Sequence, residues 1–137
     1  MALEHMQIGE VANQTGLSLR TIRYYEEMGL VVPSARTVGG FRLYTASDVA
    51  RLQLIKRMKP LDFSLEETKD LLATLDALDT ADSDAERKEL VGRLEMYHDA
   101  AEARVTAVRD QLAIAAGFAT DLHSEITRQK RATPRND

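Results

Sequence analysis

The hydrophobic positions at the start of the chain predict two short helices joined by a tight turn. One helical face is marked by Ile8, Val11, Ala12 and Thr15. Gly16 follows as a stop signal, and Ser18 is a suitable N-cap for a second helix that ends near Met28. Two short helices with this spacing are typical of a helix-turn-helix.

The helical period breaks between residues 31 and 44, where the pattern predicts a β-hairpin. Val31 and Val32 form one β-prone run, and Phe41, Leu43 and Tyr44 form a second. Turn-forming residues separate the two runs, namely Pro33, Ser34, Gly39 and Gly40. The segment is therefore predicted to be a wing that carries Arg36 and Arg42.

Two further helices are predicted before residue 77. The third begins after Thr45 or Ser47 and ends before Pro60, with a stripe formed by Val49, Leu52, Ile55 and Met58. The fourth begins at Ser64, because Glu67 stands three residues later in the capping-box pattern. Together these elements define a compact domain over residues 6–76, followed by an Asp-rich linker over residues 77–85.

A single long helix is predicted over residues 86–122. Its apolar stripe consists of Leu90, Leu94, Tyr97, Ala101, Val105, Val108, Leu112 and Ala115, with one slip in the heptad between Ala101 and Val105. About 35 residues span roughly 50 Å, which is too long for a stripe this narrow to be covered within one small chain. A second copy is therefore expected on it, as a parallel or antiparallel coiled coil. Residues 123–137 are predicted to be a disordered polar tail, and residues 1–5 a remnant of vector sequence.

Charge is distributed unevenly along the chain. The net charge is −4, but residues 1–60 carry eight basic and five acidic residues, whereas residues 61–137 carry ten basic and seventeen acidic ones. A basic first half suggests that this half binds a polyanion. The 137 residues contain no Cys, which excludes a thiolate metal site, a thiol nucleophile and a disulfide within them. With no apolar run of membrane-spanning length and no signal sequence, a cytoplasmic protein is expected.

Five sequence blocks occur together in a recognisable order: MQIGEVA (6–12), TGLSLRTIRYYEEMGL (15–30), PSAR (33–36), GGFRLY (39–44) and FSLEE (63–67). They resemble the DNA-binding domain of the MerR family of bacterial transcription regulators over residues 6–75. The resemblance implies a mainly α fold, with a winged helix-turn-helix domain followed by a long antiparallel coiled-coil dimerisation helix. It also implies a homodimer that binds a pseudo-palindromic promoter and bends and untwists its spacer, which is recognition through DNA deformation.

The resemblance implies DNA contacts from three segments. They are the recognition helix, with Ser18, Arg20, Thr21, Arg23, Tyr24 and Tyr25; the first wing, with Arg36, Phe41, Arg42 and Tyr44; and the end of the third helix, with Lys56, Arg57 and Lys59. Tyr25 is equally well explained as a core residue, and Phe41 is better explained as a packing anchor of the wing. A hydrated helix face is the alternative for the last three, for which DNA contact is preferred. Asp62 departs from the family pattern, which has Gly before the FSLEE block. Its charge would repel a nearby phosphate.

No arrangement of a nucleophile and a base, phosphate loop or cofactor fingerprint is present, so the chain is expected not to be an enzyme and to need no cofactor. A metal site of His98, Asp99 and His123 is disfavoured by their separation along the helix. Three hypotheses remain for control of a regulator: a small organic effector, no effector in a DNA-architectural protein, or a protein partner. RNA polymerase is a further candidate partner. A different class, a helical interaction module that never touches DNA, stays open.

Overall fold

The computed structural model describes residues 5–33 and 35–134. The chain divides into two compact units, Met1–Leu94 and Glu95–Asp137, which are described separately. The expectation of a vector remnant concerns residues 1–5, and of these residues 1–4 lie outside the described part. Ser34, one of the turn residues of the predicted wing, also lies outside it.

The first unit begins with the predicted pair of helices, α1 (Ile8–Thr15) and α2 (Leu19–Glu27). α1 ends at Gly16, which has φ 73° and donates its backbone N–H to the carbonyl of Ala12. The Ser18 hydroxyl accepts a hydrogen bond from the backbone N–H of Thr21, which caps α2. The helix-turn-helix prediction is confirmed.

The wing is part of a three-stranded antiparallel sheet with the order β1-β3-β2. β1 is Met6–Gln7, β2 is Ala35–Arg36 and β3 is Arg42–Tyr44. The predicted first strand at Val31 and Val32 is wrong, because these residues form no strand and β2 begins only at Ala35. β1 was not predicted, because it is too short to show an alternating pattern.

Two capping boxes start the next helices. α3 (Ala46–Met58) is capped reciprocally by Thr45 and Asp48, and α4 (Leu65–Asp79) by Ser64 and Glu67. Between them a short 3-10 turn at Lys59–Leu61 contains Pro60. Asp62 follows with φ 61° and ψ 27°, and among the described residues it is the one non-glycine with positive φ. Glycine adopts this conformation without strain, which accords with the Gly that the family resemblance implies at this position.

The hydrophobic core of the first unit includes residues from the helix-turn-helix, the wing, α3 and α4. Its buried members are Val11, Ile22, Tyr25, Leu30, Val31, Tyr44, Leu52, Ile55 and Leu72. Helix α1 packs against both α2 and α3, and β3 packs against α1 and α3. The core therefore fixes the position of α2 relative to the wing, which matters for the site below.

α5 extends over Asp84–Ala132, from the first unit into the second. The predicted linker at residues 77–85 is too long, because α4 continues to Asp79 and α5 begins at Asp84. The predicted disorder of residues 123–132 is also wrong, since no Gly or Pro interrupts the helix there and Arg128 pairs with Glu125 within it. Residues 135–137 of that tail lie outside the described part.

The predicted apolar stripe of α5 differs in exposure along its length. Leu90 is buried within the first unit, whereas Leu94, Tyr97, Ala101 and Val105 are half-buried. Val108, Leu112 and Ala115 are exposed, as are Phe118, Leu122 and Ile126 beyond them. Leu90 is therefore corrected from an interface residue to a core residue of its own chain. Across residues 5–33 and 35–134, no helix is both long and apolar enough to span a bilayer.

We expect the left-handed turn at Asp62 to respond to substitution in a predictable order. Asp62→Gly should leave the free energy of unfolding unchanged or raise it by about 0.5–1 kcal/mol, because Gly adopts positive φ without strain. Asp62→Val should lower it by about 1–2 kcal/mol, because a β-branched side chain clashes in this region. Urea unfolding followed by circular dichroism would measure both. Equal stability of the two variants would contradict the assigned conformation.

Candidate nucleic-acid interface

The exposed side of α2 carries two arginines with no internal partner. Arg20 and Arg23 are exposed, and within the described part of the chain neither guanidinium makes a hydrogen bond or an ion pair. Tyr24 is 48% exposed beside them. An unpaired guanidinium can form paired hydrogen bonds with guanine or with a phosphate, and a tyrosine hydroxyl can bind a phosphate.

The start of α2 is held by hydroxyl groups rather than left free. Besides accepting from the Thr21 backbone N–H at 3.0 Å, the Ser18 hydroxyl donates to the Thr21 hydroxyl at 2.8 Å. Ser18 thus serves to cap the helix, and its hydrogen-bonding capacity is largely used. Thr21 still has its own hydroxyl proton to donate, so it stays a predicted DNA contact.

A single carboxylate, that of Glu26, links the end of α2 to the wing. Glu26 Oε1 accepts from Arg42 Nε at 2.6 Å, and Oε2 accepts from the Tyr44 hydroxyl at 2.9 Å. Arg36 Nη2 lies 3.8 Å from the same Oε1. The hydrogen bond and the charge of Glu26 raise the pKa of the Arg42 guanidinium. Glu26 was not predicted as a site residue. The available signal was that the wing arginines have no acidic residue within their own strands to pair with.

Two tyrosines predicted as DNA contacts are core residues instead. Tyr25 is 8% exposed and Tyr44 is fully buried. Tyr25 lies on the same face of α2 as Ile22, so the alternative interpretation of Tyr25 as a core residue is the correct one. Burial and the hydrogen bond to Glu26 raise the pKa of the Tyr44 hydroxyl far above its ordinary value. Neither side chain is accessible to a duplex.

The tip of the wing projects away from the core. Arg36 Nη1 donates to the Gly40 carbonyl at 3.2 Å, and the Phe41 backbone N–H donates to the Thr37 hydroxyl at 3.0 Å. These bonds close the loop that joins β2 to β3. Phe41 is 66% exposed, so it does not anchor the wing by packing. An exposed aromatic ring at the tip of a wing can contact the sugar and base edges of DNA.

The three cations at the end of α3 have different roles. Lys56 Nζ donates to the Thr15 carbonyl at 2.8 Å, where it supports the C-terminus of α1. A Cβ on Gly16 would lie 3.1 Å from the same Nζ, so glycine also makes room for this contact. Lys56 is therefore reassigned as a structural residue. Arg57 and Lys59 are exposed and, within the described residues, have no partner, so they stay candidates for phosphate binding.

Comparisons with known proteins identify the family. The family model described as MerR HTH family regulatory protein matches residues 6–75, and a second, described as MerR, DNA binding, matches residues 49–115. The chain belongs to the MerR family. It is accordingly a DNA-binding transcriptional regulator and not an enzyme, and promoter DNA is the partner of MerR-family regulators.

Relatives of this MerR-family regulator include proteins named for metals. The chain is 34% identical over 120 residues to the HTH-type transcriptional regulator HmrR of Sinorhizobium medicae, covering 88% of this chain and 78% of the relative. It is 46% identical over 70 residues to the mercuric resistance operon regulatory protein of Bacillus cereus, covering 51% of this chain and 53% of the relative. Over several such relatives the match therefore spans about half of their length.

Solved structures show the same fold. A MerR-family regulator from Listeria monocytogenes superposes with a TM-score of 0.65 at 26% identity, covering 93% of each chain. The lead(II) complex of PbrR691 from Ralstonia metallidurans superposes with a TM-score of 0.52 at 27% identity, covering 96% of this chain and 90% of that one. The mainly helical architecture of winged helix-turn-helix and long helix is thus shared with this family.

The link between Glu26 and the wing leads to a test on the first unit. Tyr44→Phe should lower the free energy of unfolding by about 1–3 kcal/mol at pH 7, because a buried bond to a charged acceptor is lost. Tyr24→Phe is the matched control, because the Tyr24 hydroxyl has no partner among the described residues. Its effect should stay within about 0.5 kcal/mol.

The difference in the free energy of unfolding between the wild type and Tyr44→Phe should become smaller as the pH rises above 10. The ordinary pKa of a tyrosine hydroxyl is 10.0, so above this pH Tyr44 ionises in the unfolded chain but not in the folded one, where its pKa is raised. Deprotonation then favours the unfolded wild type, and the variant lacks this penalty. Urea unfolding at pH 7 to 11 measures it. A constant difference across this range would contradict a buried, hydrogen-bonded Tyr44.

Proposed function

We propose that this MerR-family regulator acts as a homodimer that binds a pseudo-palindromic promoter through α2 and the wing. The observation that carries the proposal is the pair of exposed arginines, Arg20 and Arg23, on a capped helix whose other end is linked to the wing by Glu26. We propose that Arg20, Thr21 and Arg23 contact the bases and that Tyr24 contacts a phosphate. The DNA backbone would be contacted by Arg36, Phe41 and Arg42 on the wing and by Arg57 and Lys59 beside it.

The binding mode we propose is deformation of the duplex. Cations on α2, on the wing and at the end of α3 can hold phosphates at several points along one strand, and such contacts compensate the energy needed to bend and untwist DNA. Bending the spacer realigns promoter elements for RNA polymerase, which would be the partner at the promoter. We expect this activity in the cytoplasm, where bacterial promoters are found.

The dimer is proposed to form along the exposed apolar part of α5. Val108, Leu112 and Ala115 recur at heptad spacing and are exposed, and the stripe continues through Leu122 and Ile126. An isolated helix would leave this surface in water, whereas an antiparallel coiled coil with a second copy would bury it. The half-buried residues before Val108 extend the same stripe.

For the effector, we propose a small organic molecule or none. The heavy-metal and mercuric regulators that the chain resembles suggest a metal, but the 137 residues hold no Cys for a thiolate site. Within residues 5–33 and 35–134, no group of three or more His, Asp or Glu side chains is placed to bind a metal ion. The alternative of control by a protein partner would use the acidic second half of the chain or its basic tail.

Arg23→Ala tests the assignment of α2 as the recognition helix. We expect at least about tenfold weaker binding to an inverted repeat selected from random duplexes, with a relaxed base preference at one position of each half-site. The magnitude of the slope of log K against log salt should fall by about one unit for each lost contact to a phosphate. Arg42→Ala should instead weaken binding to all sequences alike.

Arg128→Gln is the matched control for these arginine variants, because Arg128 pairs with Glu125 within α5. It should bind the selected duplex like the wild type. Unchanged affinity and base preference in Arg23→Ala, or in the double variant Arg20→Ala/Arg23→Ala, would contradict the DNA-binding site and favour the interaction module. The measurement is fluorescence anisotropy at several salt concentrations.

The dimer is tested by charging its proposed surface. Light scattering of the wild type should give about twice the chain mass of 15.3 kDa. Val108→Glu/Leu112→Glu should give a monomer and weaken binding to the full inverted repeat. Ala113 is exposed on the opposite side of α5, so Ala113→Glu should leave the dimer intact. A dimeric double variant would contradict the proposed interface.

A further inference from the structure

A groove of about 420 Å³ opens in the first unit between α2, α3 and the start of α4. Its apolar lining includes Tyr25, Leu30 and Ile55, which are members of the buried core, and the side chains of Phe63 and Leu65. The left-handed turn at Asp62 reverses the chain just before Phe63, so this part of the lining depends on that turn. A volume of this size is in the range of small-molecule sites.

The groove also carries cationic groups that the chain itself does not neutralise. Arg20 and Lys59 line it and are exposed, and within the described part of the chain neither makes an ion pair or a side-chain hydrogen bond. The Tyr24 hydroxyl is likewise without a partner there. The described residues that line the groove include no carboxylate. The cavity therefore combines an apolar lining with positive charge.

We propose that this groove binds a small organic anion with an aromatic or aliphatic body and a single carboxylate. The body would lie against the rings of Tyr25 and Phe63 and displace water from the apolar lining. The carboxylate would accept hydrogen bonds from Arg20 or Lys59, which supply the opposite charge. A neutral molecule of the same shape would leave that charge unpaired and would bind more weakly.

Such a ligand would compete with DNA, and this part of the inference rests on the proposed function. Arg20, Thr21 and Tyr24 line the groove and are also proposed DNA contacts. A bound carboxylate neutralises the guanidinium that would otherwise meet the duplex, and the ligand body occupies the space beside α2. Because coupling between two ligands is reciprocal, DNA must weaken binding of the anion by the same factor.

The site itself is tested on the full chain without DNA, with 2-naphthoate as the probe. Isothermal titration should give one site with a Kd of about 1 mM or tighter, as expected for a ligand of this size. The neutral analogue 2-naphthylmethanol should bind at least tenfold more weakly. Absence of naphthoate binding at millimolar concentration, or equal binding of the neutral analogue, would overturn the proposal.

Two lysine variants locate the site. Lys59→Met should weaken naphthoate binding about tenfold, because it removes one of the groove's two cations while keeping an apolar side chain of similar length. Lys69→Met is the matched control, because Lys69 is an exposed lysine next to Thr68 that does not line this groove. It should bind naphthoate within twofold of the wild type. Equal effects of both variants would show binding elsewhere and would overturn the proposal.

Competition is measured with the selected duplex at a naphthoate concentration ten times the Kd of naphthoate. The apparent Kd for DNA should then rise about tenfold. Unchanged DNA affinity despite bound naphthoate would overturn the regulatory part of the inference. If the wild type binds no duplex at all, the proposed function fails, whereas the titrations without DNA still decide whether the groove is an anion site.

Discussion

The carboxylate of Glu26 is the interaction on which the arrangement of the DNA-binding unit depends. It stands at the end of α2 and accepts hydrogen bonds from Arg42 and Tyr44, both on β3. The recognition helix and the wing are separate elements that share one core, and Glu26 adds a direct polar link between them. This link stabilises their arrangement, because breaking its hydrogen bonds would leave a largely buried charge without compensation.

This interaction and one other internal contact determine which side chains remain available to DNA. Arg42 turns one edge of its guanidinium to Glu26, so only its other nitrogens can reach outward. Tyr44 is withdrawn into the core, and Lys56 is held on the carbonyl of Thr15. What remains free is a smaller set on α2, at the wing tip and at the end of α3, and the groove between α2 and α4 lies among these residues.

Local charge matters more than net charge in this chain. An overall charge of −4 argues against a polyanion as partner, yet the basic residues lie in the half that forms the helix-turn-helix and wing. Asp62 is an acidic residue just beyond this basic half. The turn between α3 and α4 requires a positive φ at this position, which Asp tolerates and Gly adopts with less strain. The negative charge of Asp62 stands near the proposed phosphate contacts, which it would oppose.

Periodicity and capping residues were enough to predict α1 to α4, the turn at Gly16 and the presence of a long helix, because these signals act within a few residues. The sequence blocks were enough to suggest the family and an outline of the interface. Tertiary structure alone decided that Tyr25, Tyr44 and Leu90 are buried, that Lys56 supports α1, and that Glu26 joins helix to wing. β1 and the length of α5 were also misjudged, because a two-residue strand exists only through its partner β3, and a polar helix end carries no hydrophobic period. Burial and pairing depend on residues distant in the chain, which a local pattern does not contain.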